Sequence, residues 1–377
     1  MSSPKRREDL RKEDSKALQG FAVLIMIIHH YFLDISVYPA NWFTYPVIFQ
    51  KAAWACRMCV GIFSFVSGYG MYCVLARKEG ILRRYGESIK RLLLLYLRVL
   101  AVVLVCIFLA NRYLGGEADI HEIPGNITGF APTFNGAFWF VTEYLWFMIL
   151  APVYAYIADR KGKKPVRVAA VIVIFLLCAF GKGIIPSPAS VQEFFDGRIQ
   201  PLFLLIFTEG FFAAALQKRA EERNEAINRE KPEEESEGMS VEKPTGALGK
   251  IHRMRVLPLF GLIITAAALY LRYCFTVNQH SSNIDIIAVP LLCMGATLLN
   301  RGTKVFYRFF GFYGAVSVYL WLIHNPVYDR MAMIMADQTG YWAVFVISLA
   351  AVSIVISSVF AGLEHLIKRL FISHAIS

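Results

Sequence analysis

Residues 16–34 read KALQGFAVLIMIIHHYFLD, and the fold follows from how this stretch is read. Apolar residues run unbroken from Phe21 to Ile28, after which His29 and His30 arrive together. The run has the length and composition of a helix entering a membrane, where a histidine is costly and by default functional. The whole chain repeats this pattern. Of its 377 residues 56% are hydrophobic and 18% charged, against about a quarter charged in a soluble domain. The charges fall in short bands between apolar runs of spanning length, so the expected class is an all-α, polytopic integral membrane protein.

About ten transmembrane helices are expected: 18–36, 57–76, 91–110, 138–157, 167–185, 200–217, 256–273, 283–299, 309–328 and 340–364. The polar start, MSSPKRREDLRKEDSK, leads into the first span without a small-residue cleavage site, so that span is expected to be retained. Lys and Arg near span ends stay in the cytoplasm. With both termini cytoplasmic, 31 of the 39 Lys and Arg residues lie inside and 7 outside, and Arg98 falls within the third span. The net charge of +11 is thereby accounted for without nucleic acid. The expected organisation is a cytoplasmic tail (1–17), six helices (18–217), a charged flexible cytoplasmic linker (218–255), four helices (256–365) and a cytoplasmic tail (366–377). The linker is too polar to bury a core of its own. Cys56 and Cys59 form the single CxxC, without a second pair or a histidine at metal spacing, so no metal site is expected.

Polar side chains inside the spans mark the candidate site. At about 100° per residue, Gln19 and His30 differ by only about 20° around the first helix, and Lys16 lies about 40° away on the other side. Lys16, Gln19 and His30 therefore share a face, with His30 roughly 17 Å along the axis from Gln19. His29 sits a quarter-turn off that stripe. Asp34 follows His30 at i+4, where a carboxylate holds an imidazole in one tautomer. His324 lies late in the ninth span, so two spans end an apolar run in histidine. Arg84, Arg91 and Arg98 recur every seven residues as a stripe climbing into the third span, flanked by Arg83 and Lys90. Snorkelling accounts for Arg84 and Arg91, while Arg98 is deeper; a polyanionic ligand would use the same stripe. Glu143 and Glu209 are acids within spans, each expected to have a partner inside the bundle, either by pairing with a histidine or Arg98 or as a protonated structural donor.

These segments resemble the membrane-bound acyltransferase family 3, which includes the O-acetyltransferases of cell-surface polysaccharides. The resemblance is carried by LQGFAVLIMIIHHYF (18–32), FSFVSGYGMY (63–72), KRLLLLYLRVL (90–100), FWFVTEYLWFMILAPVYAY (138–156) and FYGAVSVYLWLIHNPV (312–327). Each is short and apolar; their order and the histidines make the set specific. It implies a bacterial plasma-membrane enzyme that moves an acyl group, acetyl foremost, from cytoplasmic acyl-CoA to a hydroxyl of a cell-surface or exported carbohydrate. The family's first-span histidine falls on His30 and its late-span histidine on His324. The family's basic residue, separated from that first histidine by ten residues, falls on Gln19, a departure that Lys16, one turn earlier, would offset.

On that reading His30 removes the acceptor proton or carries the acyl group as an acyl-imidazole. Asp34 and Glu143 are the expected orienters of the histidines. Lys16, Gln19, Arg84, Lys90, Arg91 and Arg98 are expected to hold the acyl-CoA donor. Two alternatives stay open on sequence alone: a transporter or exporter whose histidines relay protons, and a family member that Gln19 leaves catalytically impaired. The lack of a visible repeat or of Gly/Pro-broken span pairs weakens the first. The partners expected are thus the bilayer, the acyl-CoA and a carbohydrate.

Overall fold

An apolar segment in lipid must satisfy its own backbone, and the helix does so within a single segment. The computed structural model describes residues 12–33, 47–113, 119–159, 172–173, 200–229, 248–276, 283–339 and 342–374, and these contain no strand. Helix α1 is Lys12–Leu33 and α2 is Val47–Ala55. A 3₁₀ turn, Cys56–Met58, joins α2 to α3, Cys59–Leu75. Helix α4 is Ile81–Tyr113, α5 is Ile123–Thr128 and α6 is Trp139–Ala158. The later helices are α7 (Pro201–Arg229), α8 (Leu248–Cys274), α9 (Asp285–Thr303), α10 (Val305–Thr339) and α11 (Trp342–His374).

Among the described residues six helices are long and apolar enough to cross a membrane: Lys51–Leu75, Gly136–Ala158, Pro201–Ile227, Leu257–Cys274, Val305–Tyr328 and Ile347–Leu370. Asp285–Asn300 is a shorter apolar helix. The span expected at 167–185 lies outside the described residues, apart from helical Ile172 and Val173. The charged residues 218–229, expected in the linker, continue α7 as helix, and α8 begins already at Leu248. The last helix likewise runs past the expected tail boundary to His374.

Burial sorts the helices into a core and a rim. The apolar window of the Lys51–Leu75 span is 61% buried, whereas those of Leu257–Cys274 and Ile347–Leu370 are 17% buried. Exposed Leu259, Phe260, Leu262 and Ile263 on α8, with Val355, Val359 and Leu363 on α11, face outward as a lipid-contacting surface would. The core is aromatic: Phe147 stacks on Phe207 with centroids 4.3 Å apart, and Tyr154 and Phe211 pack edge to face beside them.

The contact that sets the site is between α1 and α10. A Cβ on Gly20 would stand 1.9 Å from the Phe310 carbonyl oxygen, and one on Gly314 would stand 1.8 Å from that of Lys16. The two backbones thus touch, as small residues permit between membrane helices. His30 lies ten residues beyond Gly20 and His324 ten residues beyond Gly314. At 1.5 Å per residue both rise about 15 Å above the crossing, which brings them to one level. Helices α3 and α7 make the same kind of approach at Gly68 and Gly210.

Candidate functional site

The two histidines meet. The rings of His30 and His324 lie 4.8 Å apart between centroids, tilted by 53°. His324 is fully buried, whereas His30 is partly exposed, so His30 is the more open member of the pair. The His324 Nδ1 is 2.7 Å from the Trp321 carbonyl oxygen. A carbonyl only accepts, so Nδ1 carries the proton and Nε2 is the ring's acceptor. His29 is turned about the helix towards α2: its Nδ1 donates to the Ala53 carbonyl at 2.9 Å and its ring packs edge to face on Trp54 and, with centroids 5.1 Å apart, on His30.

Below the histidines, at the end of the bundle that carries the basic residues, a cavity of about 550 Å³ opens between α1, α3, α4 and α6. Lys12, Lys16, Gln19, Arg77, Arg91 and Tyr144 are among its lining residues. Gln19 and Lys16 therefore share this space, as their common face on α1 requires. Gln19 brings no charge, but two basic residues from its own helix and one each from α4 and the α3–α4 turn surround the same volume. Lys12 and Arg77 were not anticipated; only their clustering in space reveals them.

The arginine stripe is dispersed. Only Arg91 lines the cavity, with its Nε also donating to Glu87 at 3.2 Å. Arg84 is buried at the side, donating to the Lys78 carbonyl at 3.1 Å and to Asp159 at 3.2 Å. Arg98 faces α11, where Nε and Nη2 make a two-pronged contact with Glu364 at 3.0 and 2.8 Å. The Tyr319 hydroxyl donates to the same carboxylate at 2.8 Å, and Lys368 also pairs with it. Arg84 and Arg98 thus bind carboxylates within the bundle rather than extending the cavity, and Lys90 is exposed outside it.

Glu143 does not reach a histidine or Arg98. It is buried, and its Oε2 accepts the Gln200 N–H at 2.8 Å, where the carboxylate meets the N-terminus of α7. Glu209 lies partly buried on α7. Asp34 lies outside the described residues. A fully buried ion pair, unanticipated, joins Arg272 of α8 to Asp285 of α9 at 2.6 Å.

The arrangement can do one piece of chemistry well. It offers an accessible imidazole backed by a second one of fixed tautomer, with a cationic cavity on the same helix face below. A general base and a holder for a polyanion are two parts that acyl transfer from a phosphorylated thioester requires. Residues 14–362 match the acyltransferase family 3 model, described as an acyltransferase domain. No curated protein and no solved structure matches the chain.

Proposed function

From the premise that the chain belongs to acyltransferase family 3, as a multi-pass membrane acyltransferase, we propose that its donor is acyl-CoA, acetyl-CoA foremost, and its acceptor a carbohydrate hydroxyl. The observation that carries this is the meeting of His30 and His324 above the cationic cavity. By the distribution of basic residues the cavity faces the cytoplasm of a bacterial cell, where CoA thioesters reside, and the histidines face the outer half. Lys12, Lys16, Arg77 and Arg91 hold the donor's phosphates, and the thiol-bearing arm runs up α1 from Gln19 towards His30.

His30 takes the proton from the acceptor hydroxyl as its oxygen attacks the thioester carbonyl. The C–S bond then breaks, and the departing thiolate recovers the proton from the imidazolium. His324 takes the orienting part expected of Glu143, because its Nε2 is an acceptor and its ring is the one beside His30. Arg84, Lys90 and Arg98 do not line this cavity and are not assigned to the donor. The outer location of the acceptor makes a cell-surface or exported glycan its natural class.

Purified protein incubated with labelled acetyl-CoA tests the reading. Release of free thiol, lost in His30→Ala with the fold intact, supports it; thiol release unchanged by His30→Ala, or substrate movement across vesicles without thioester loss, refutes it. Mass spectrometry of surface glycans from cells with and without the protein then identifies the acceptor.

A further inference from the structure

His324 stands two residues before Pro326 inside α10. Proline has no N–H, so the carbonyl of Leu322, four residues earlier, lacks its usual i+4 donor. Asn135 supplies it: its Nδ2 donates to the Leu322 oxygen at 2.8 Å in a fully buried contact. The Asn135 Oδ1 accepts the Ala137 N–H at 2.8 Å, capping the 3₁₀ turn Gly136–Phe138 that leads into α6, and accepts Asn325 Nδ2 at 3.1 Å. One contact needs a donor and the other an acceptor, so the amide has a single orientation.

The loop that presents Asn135 is itself built. Asn126, fully buried, donates to the Glu122 carbonyl at 2.9 Å and to Thr133 Oγ1 at 2.8 Å, and it accepts the Phe134 N–H at 2.9 Å. That fixes the residue just before Asn135. Its target, the Leu322 carbonyl, adjoins the Trp321 carbonyl that holds His324 Nδ1. The two consecutive peptide groups under the histidine are therefore held by His324 itself and by Asn135.

We propose that Asn135 is a positioning residue for His324. It replaces the N–H that Pro326 lacks, keeps the 321–325 turn closed, and thereby holds the His324 proton on Nδ1 and the ring against His30. Asn135 touches no substrate and acts only through that turn. This rests on the reading of the histidine pair as the catalytic centre.

The test uses full-length protein in detergent with two independent readouts. One is the rate at which diethyl pyrocarbonate carbethoxylates His324, followed by peptide mass spectrometry; the other is thiol release from acetyl-CoA. Asn135→Asp keeps an oxygen for both acceptor contacts and, as the carboxylate, turns a charged second oxygen instead of an N–H towards the Leu322 carbonyl. It is expected to lower kcat by roughly 10- to 100-fold with KM for acetyl-CoA unchanged, and to speed labelling of the otherwise buried His324 several-fold. Pro326→Ala returns an N–H to the Leu322 carbonyl, so the double variant N135D/P326A is expected to recover protection of His324 and activity.

Wild-type His324 labelling in N135D, or a double variant no better than N135D, overturns the proposal. If N135D fails to fold, the double variant must recover both fold and His324 protection, and failure to do so overturns it equally. Absence of thiol release from the wild type would refute the acyltransfer reading, while the labelling data still decide the role of Asn135.

Discussion

Substituting Gly20 by alanine tests the reasoning that places the histidines. The added Cβ would lie 1.9 Å from the Phe310 oxygen and 2.8 Å from the Gly314 nitrogen. Ordinary contact begins near 3.4 Å, and both neighbours are backbone that cannot rotate away. Helices α1 and α10 must therefore separate by on the order of 1.5 Å. Overpacking of this kind costs about 1–3 kcal/mol, which appears as a thermal transition lowered by several degrees. The larger effect falls on the reaction. His30 and His324 ride on the two helices that part, and a misplacement of about 1 Å costs on the order of 100-fold in rate. Donor binding draws on α3 and α4 as well as α1, so KM for acetyl-CoA should change far less than kcat. The assay is steady-state thiol release beside a fluorescence melt of the detergent-solubilised protein. Wild-type kcat and melting temperature in Gly20→Ala would refute the close crossing and, with it, the account of how the histidines meet.

Arg91→Gln removes a cavity cation without opening a buried pair, so KM for acetyl-CoA should rise several-fold at nearly constant kcat. Unchanged donor affinity in a binding assay would count against the cavity as the donor site. Glu364→Gln leaves Arg98 facing a neutral partner inside the bundle and should destabilise by about 2–3 kcal/mol, read as a lower melting temperature. The same variant should leave KM for the donor unaltered, because Arg98 does not line the cavity. Asp285→Asn strands the fully buried Arg272 and should cost about 3–5 kcal/mol. The paired change Arg272→Leu with Asp285→Leu should recover most of that loss, and a double variant as unstable as Asp285→Asn would contradict the ion-pair assignment.

The features that sequence disclosed and those it hid differ in range. An apolar run that ends in histidine is a local pattern, and it marked His30 and His324 because lipid penalises such a residue wherever the partner lies. The quarter-turn between His29 and His30 is likewise local: His29 bonds the Ala53 carbonyl and His30 faces His324, while the two neighbouring rings meet edge to face. Partners are not local. Arg98 was recognisable as too deep to snorkel, but Glu364 lies 266 residues away, at the edge of an apolar span whose own pattern explains it as an ordinary boundary charge. The heptad spacing of Arg84, Arg91 and Arg98 put them on one side of α4, yet height along the helix decides their neighbours: first Asp159, then the cavity, then Glu364. A common azimuth did not make a common site.

Asn135 was hidden for a further reason. It sits in a segment between helices without periodicity, and the role proposed for it arises from a gap elsewhere, the N–H that Pro326 lacks. The sequence displays both residues, but only the fold brings them together. Gly20 and Gly314 belong to the same class, since a glycine in a membrane helix is common and its meaning lies in what it allows to approach. Their equal ten-residue offset from His30 and His324 turns a packing contact into a ruler. The close crossing sets the height of both rings, and the cavity below sets where a donor can begin. On the donor site proposed above, charge at Gln19 itself is not required, because the cations that would hold a donor need only line the same volume, and Lys16, Arg77 and Arg91 do so from three segments.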